Sequence, residues 1–127
     1  MTQVFLIGLA GALGTLCRYF VGLWAGRVLG AGFPYGTLIV NVVGCFLIAL
    51  IFQLAGSTTM ISPTVRPTLT TGFIGGLTTY SAFNYETTGL LRQRAWTTGV
   101  LNVGITLAAC FLAGLLGLAV ARRIAGS

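Results

Sequence analysis

The sequence has no histidine and no lysine, and a single acidic side chain, Glu86, among its 127 residues. Each absence excludes something. Without histidine, and with one carboxylate, the chain cannot build the paired acid and base or the oriented nucleophile that hydrolases and transferases need. The three cysteines, Cys17, Cys45 and Cys110, lie in apolar stretches without a CxxC spacing or a histidine partner; they read as small packing residues. Charged residues make up only 6% of the chain, against about a quarter in soluble domains. Prolines number three, too few to interrupt long helices often.

What is present is apolar: hydrophobic residues account for 56% of the chain. That composition fits one membrane domain with four spans of ~20 residues each. The hydrophobic runs place them at Val4–Trp24, Gly36–Leu54, Thr68–Leu91 and Thr98–Ala121. A Gly/Pro turn around Gly32-Phe33-Pro34, a Ser/Thr/Pro loop from Gly56 to Pro67 and the short Arg92-Gln93-Arg94 connect them. The first run does not read as a signal peptide, because it lacks a basic leader, is too long and contains Arg18. The net charge of +6 comes from arginines near span ends, where they meet anionic headgroups; a nucleic-acid partner is not expected.

The third run differs from a plain anchor. Its middle holds Gly75-Gly76, then Thr78, Thr79 and Ser81, with Tyr80 and Phe83 among them. Polar or non-helical backbone at membrane depth survives only where protein buries it or where it lines a watery cavity. A break is therefore expected at Gly75-Gly76, freeing carbonyl oxygens that, facing an inverted copy of the chain, could hold a hard cation. Tyr80, Phe83, Asn84 and Thr87 share one helical face. Asn41 is the amide in the middle of the second span, and Thr98, Asn102 and Thr106 form a polar stripe on the fourth. Each residue alone is equally consistent with interhelical glue; together they suggest the wall of a narrow pathway.

Arginine counts do not orient the chain. Arg66, Arg122 and Arg123 fall on one side, Arg27, Arg92 and Arg94 on the other, and Arg18 lies within a span. Either a local feature fixes the orientation, or the chain inserts both ways and pairs with an inverted copy; the small four-helix unit favours the pair, whose seam would supply a pathway. Arg18 and Glu86 each lie six residues before the ends of parallel spans, about 9 Å deep. They either compensate each other, directly or through water, or Arg18 snorkels alone. With one acid and seven arginines, the permeant species expected is a small anion, met by ring edges and hydrogen-bond donors.

The run G-F-I-G-G-L-T-T-Y-S-A-F-N-Y-E, the earlier G-T-L-I-V-N-V-V-G and the G-x-x-x-R-Y around Arg18 resemble the Fluc (CrcB) fluoride channels of microorganisms, over essentially the whole chain and in the same order. The resemblance implies an all-α membrane protein of the bacterial plasma (inner) membrane, with four transmembrane helices per subunit. It implies an antiparallel, dual-topology homodimer whose two pores export fluoride passively and so relieve its toxicity. By the same resemblance, Asn41, Tyr80, Phe83 and Ser81 belong to the fluoride pathway. Asn102 and Thr106 extend it on the fourth helix, and the carbonyls of Gly75 and Thr78 hold a structural sodium ion at the dimer interface. Arg18 and Glu86 are structural charges. Tyr80 stands where the family usually has Phe, and Ala82 and Asn84 where it has Thr and Ser. A small multidrug transporter, the competing four-span dimer, would need an acid in the first helix, which carries Arg18 instead; a non-transporting assembly subunit would not explain the hydroxylated third run.

Overall fold

The computed structural model describes residues 1–126, and the secondary structure among them is helical throughout. Three helices are long and apolar enough to cross a membrane: α1 (Thr2–Val28), α2 (Tyr35–Ser57) and α6 (Trp96–Ala125). Each runs a few residues beyond the apolar stretch that marks it in the sequence. The extensions of α1 and α6 carry Arg27, Arg122 and Arg123 in their last turns, where cations meet the negative end of the helix dipole.

The third hydrophobic run is assembled from short pieces. A helical turn, α3 (Val65–Pro67), leads into a π-helical stretch, Thr68–Ile74, and then the turn α4 (Gly75–Leu77). Thr78 and Thr79 are extended, and α5 (Tyr80–Arg92) resumes the helix. Gly75 and Gly76, expected to be the break, are themselves helical. Gly76 serves close packing instead: a Cβ there would overlap the Gly11 carbonyl of α1, as one at Gly14 would overlap the Phe73 carbonyl. Two backbones thus touch with no side chain between them, the contact that small residues permit in membranes.

What interrupts the helix is an exchange of partners at Thr79. Its N–H donates to Asn41 Oδ1 at 2.8 Å, and its carbonyl accepts from Asn41 Nδ2 at 3.0 Å. The N–H that would close a helical turn onto Gly75 is thereby taken by a side chain of α2. Thr79 Oγ1 then caps α5 by accepting from Ala82 N at 3.1 Å. Opposite Thr78, α2 has Gly44, where a Cβ would collide with the threonine methyl.

The interruption lets the two halves of the run pack on different neighbours. The π-helical stretch and α4 lie against α1, whereas α5 lies against α6; α2 and α6 form the most extensive helix pair. Between α5 and α6, Arg94 N donates to Leu91 O and Ala95 N to Leu90 O, the paired bonds of a Schellman turn. The left-handed position is held by Arg94, with φ 63°, where glycine is the usual occupant.

Replacing Asn41 by Leu leaves both Thr79 backbone groups unpaired in a water-poor setting and should lower unfolding stability in detergent by about 2–5 kcal/mol. Arg94→Gly removes a Cβ from a left-handed position and should be neutral or stabilising by up to about 1 kcal/mol in the same denaturation assay.

Candidate functional site

A cavity of about 340 Å³ opens beside the extended residues. Asn41, Gly44, Cys45 and Ile48 of α2 line it, with Thr78, Thr79, Tyr80 and Phe83 of the third run and Thr106, Leu107 and Cys110 of α6. Four of the residues expected on a pathway, Asn41, Tyr80, Phe83 and Thr106, therefore meet in one space. They meet because α5 starts at the break: Tyr80 and Phe83 stand on its first turn, directly after the residue that Asn41 holds.

The rings are not equivalent. Phe83 is buried, whereas Tyr80 is 76% exposed, so only Phe83 is fixed by the packing within this chain. Their centroids lie 5.7 Å apart with planes inclined at 52°, a tilted pair, and both residues line the cavity. The amide of Asn41 is already committed to Thr79 at both ends. Its primary task in this chain is to shape the backbone, a partner that no sequence spacing reveals.

Ser81 and Asn102 lie outside the cavity lining. Ser81 is exposed, with its hydroxyl 3.2 Å from Thr79 Oγ1. Asn102 is almost completely buried; its Nδ2 donates to Thr87 Oγ1 at 2.8 Å, and its Oδ1 accepts from Thr106 Oγ1 at 3.2 Å. Thr87 in turn donates to the Phe83 carbonyl at 2.7 Å. The polar stripe of the fourth span and the polar face of the third thus interlock in a chain of buried hydrogen bonds. That chain ties the turn bearing Phe83 to α6.

Arg18 and Glu86 also come into one space, a separate cavity of about 290 Å³ with Tyr19, Gly22, Thr37, Thr79 and Ala82 on its walls. Among the described residues they form no direct ion pair. Arg18 Nε donates instead to the Gly76 carbonyl at 3.1 Å, and Glu86 Oε2 accepts from Thr37 Oγ1 at 3.0 Å. Glu86 Oε1 is buried with no hydrogen-bond partner within the chain. Thr37 carries no distinguishing pattern in the sequence; its position on the second span opposite Glu86 is a tertiary fact.

Gly75 opens the helical turn that precedes the interruption, and Thr78 is the first extended residue within it. The donors that helical winding would direct at their carbonyl oxygens are engaged elsewhere, Thr79 N with Asn41 and Ala82 N with Thr79 Oγ1. Carbonyl oxygens are the ligand type that suits a hard cation.

Residues 5–118 match the family model described as "CrcB-like protein, Camphor Resistance (CrcB)". A relative from Sorangium cellulosum, named "Fluoride-specific ion channel FluC", is 52% identical over 124 residues, which cover 98% of each chain. Relatives of the same name from Citrifermentans bemidjiense and Geotalea daltonii are each 45% identical over 98% of this chain and the whole of their own. Together with the apolar helices, these relatives identify an integral membrane protein of the bacterial plasma membrane. The chain belongs to the CrcB family.

Proposed function

We propose that this protein is a fluoride-selective channel that lets fluoride leave the cytoplasm passively and so limits its toxicity. The observation that carries the proposal is the cavity in which Asn41, Thr106 and the Tyr80–Phe83 ring pair meet at the extended backbone. Fluoride is small and strongly hydrated, so a route for it has to replace water with hydrogen-bond donors and positive ring edges. The Thr79 and Ser81 hydroxyls, which share one hydrogen bond, and the edge of the buried Phe83 ring supply groups of those kinds, whereas the Thr78 and Thr106 hydroxyls donate within the chain, to the Ile74 carbonyl and to Asn102 Oδ1. The relatives are named as channels rather than enzymes, in keeping with a chain that has no acid–base pair.

In this reading the four crossings are α1, α2, the composite run over residues 65–92, and α6. The functional unit is an antiparallel, dual-topology homodimer with two pores. Support comes from the balanced arginine distribution and from the exposure of Gly75, Tyr80 and Ser81 around the interruption. An inverted second copy seated there would enclose Tyr80. The Gly75 and Thr78 carbonyls of both copies would hold a sodium ion whose chemistry is structural, a fixed positive charge at the interface. Ser81 and Asn102 belong to the same proposal in different capacities. Ser81 extends the polar side of Tyr80 toward the partner, and Asn102 positions the turn that bears Phe83.

Passive efflux from liposomes containing the purified protein, with a potassium–valinomycin shunt, tests the function: rapid fluoride loss with negligible chloride loss is expected. No fluoride loss from folded protein would overturn it. Phe83→Ile should reduce fluoride efflux to background while the oligomer persists in size-exclusion chromatography, because an aliphatic group has no positive edge. Tyr80→Phe keeps the ring and should retain efflux. Arg18 and Glu86 share a cavity without touching, so compensation through water requires that Arg18→Glu combined with Glu86→Arg restore folding yield above either single change; equal losses would exclude that coupling.

A further inference from the structure

Cys45 and Cys110 are separated by 65 positions in sequence yet face each other across the α2–α6 interface. Both line the cavity that holds Tyr80 and Phe83, and both line a second, mostly apolar cavity of about 380 Å³ with Ile48, Ala49, Phe111 and Gly114. The pair therefore stands in the wall between the two spaces. Both side chains belong to the same stretch of wall, on helices that pack closely there. The backbone geometry explains why. The Cys45 carbonyl lies 3.9 Å from where a Gly114 Cβ would be, and Gly114 follows Cys110 by one helical turn on the same face of α6. Both cysteines are free of a disulfide and only partly buried, whereas Cys17, on α1, is exposed and lines neither cavity.

We propose that Cys45 and Cys110 form a two-thiolate site for a soft divalent cation that accepts two-coordinate geometry, with Hg²⁺ as its probe. Thiolate sulfur selects soft metals, and the thiolate rather than the thiol is the ligand. Among the described residues no third cysteine, histidine or carboxylate joins the pair, so a cation that demands four ligands is poorly served. In the reaction with HgCl₂, each thiol gives up its proton and each sulfur forms one bond to mercury. The two chlorides leave with the two protons, and no electrons are exchanged. The bridged product is neutral, which removes the cost of leaving a net charge in an apolar wall. A singly charged soft cation held by both thiolates would leave one negative charge there.

The bridge would fix α2 to α6 beside Phe83 and place a large atom in the wall of the cavity. Its effect on ion flow rests on the proposed channel function; its formation does not. Binding is therefore measured on its own, using full-length Cys17→Ala protein in detergent titrated with HgCl₂. Saturation at one Hg²⁺ per chain, with both remaining thiols protected from maleimide, is expected. Either single change, Cys45→Ala or Cys110→Ala, should weaken binding by about 100-fold or more, since two ligands on one scaffold gain at least that much over one. Cys45→Ser and Cys110→Ser, tested in parallel, should show the same loss and guard against an alanine variant that misfolds. Two Hg²⁺ per chain, undiminished binding by a single variant, or mercury-linked chains on a denaturing gel would each overturn the site. In liposomes, HgCl₂ should slow fluoride efflux through the Cys17→Ala protein and spare the variant lacking all three cysteines. Unchanged efflux with one bridging Hg²⁺ per chain would overturn the effect on the cavity. Absence of efflux before mercury is added would instead count against the channel function, leaving the binding result to judge the site.

Discussion

The paired hydrogen bonds between the Asn41 amide and the backbone of Thr79 are the constraint on which the rest of this structure depends. A helix crossing a bilayer keeps its own N–H and C=O groups paired, because lipid offers no substitute. Here a side chain from α2 supplies the substitute, donating to the Thr79 carbonyl and accepting from its N–H. Once the amide has taken those two groups, Thr78 and Thr79 can remain extended, and Thr79 is free to cap the helix that follows.

The packing follows from that local event. With the third run interrupted, its first half can lie against α1 at a backbone-to-backbone contact through Gly11, Gly14 and Gly76, while its second half lies against α6. The second contact is secured by the Phe83–Thr87–Asn102–Thr106 chain of hydrogen bonds. Each hydroxyl or amide in that chain is satisfied by another, so the polar groups are affordable inside an apolar protein and hold the helices in register. The same links set the buried ring of Phe83 against the cavity. Stability and site are thus built from the same side chains.

Charge is used sparingly and is held by neutral partners. Arg18 reaches the Gly76 carbonyl, next to the interruption, and Glu86 takes a hydroxyl from α2. Each charge lies near the other across a small cavity, but neither depends on direct contact with it. The arginine donates to a carbonyl of α4, so it helps anchor the first half of the third run as well as contributing positive potential near the extended residues.

Much of this was written in the sequence in a form that periodicity and composition can read. Hydrophobic runs set the three long helices because spans must be apolar and about as long as the bilayer is thick. Polar residues recurring along the third and fourth runs marked the faces that meet, since the helical repeat places residues four apart on one side. The absence of histidine and of all but one carboxylate excluded acid–base catalysis. The sequence did not show where the helix stops: glycine permits both an interruption and a close approach, and only the position of α1 decides that Gly76 serves packing. Nor could it show that Asn41 grips a backbone 38 residues away, that Thr37 meets Glu86, or that Cys45 and Cys110 are neighbours. Those pairings join different helices, and local pattern carries no information about which faces of separate helices come together; only tertiary packing decided them.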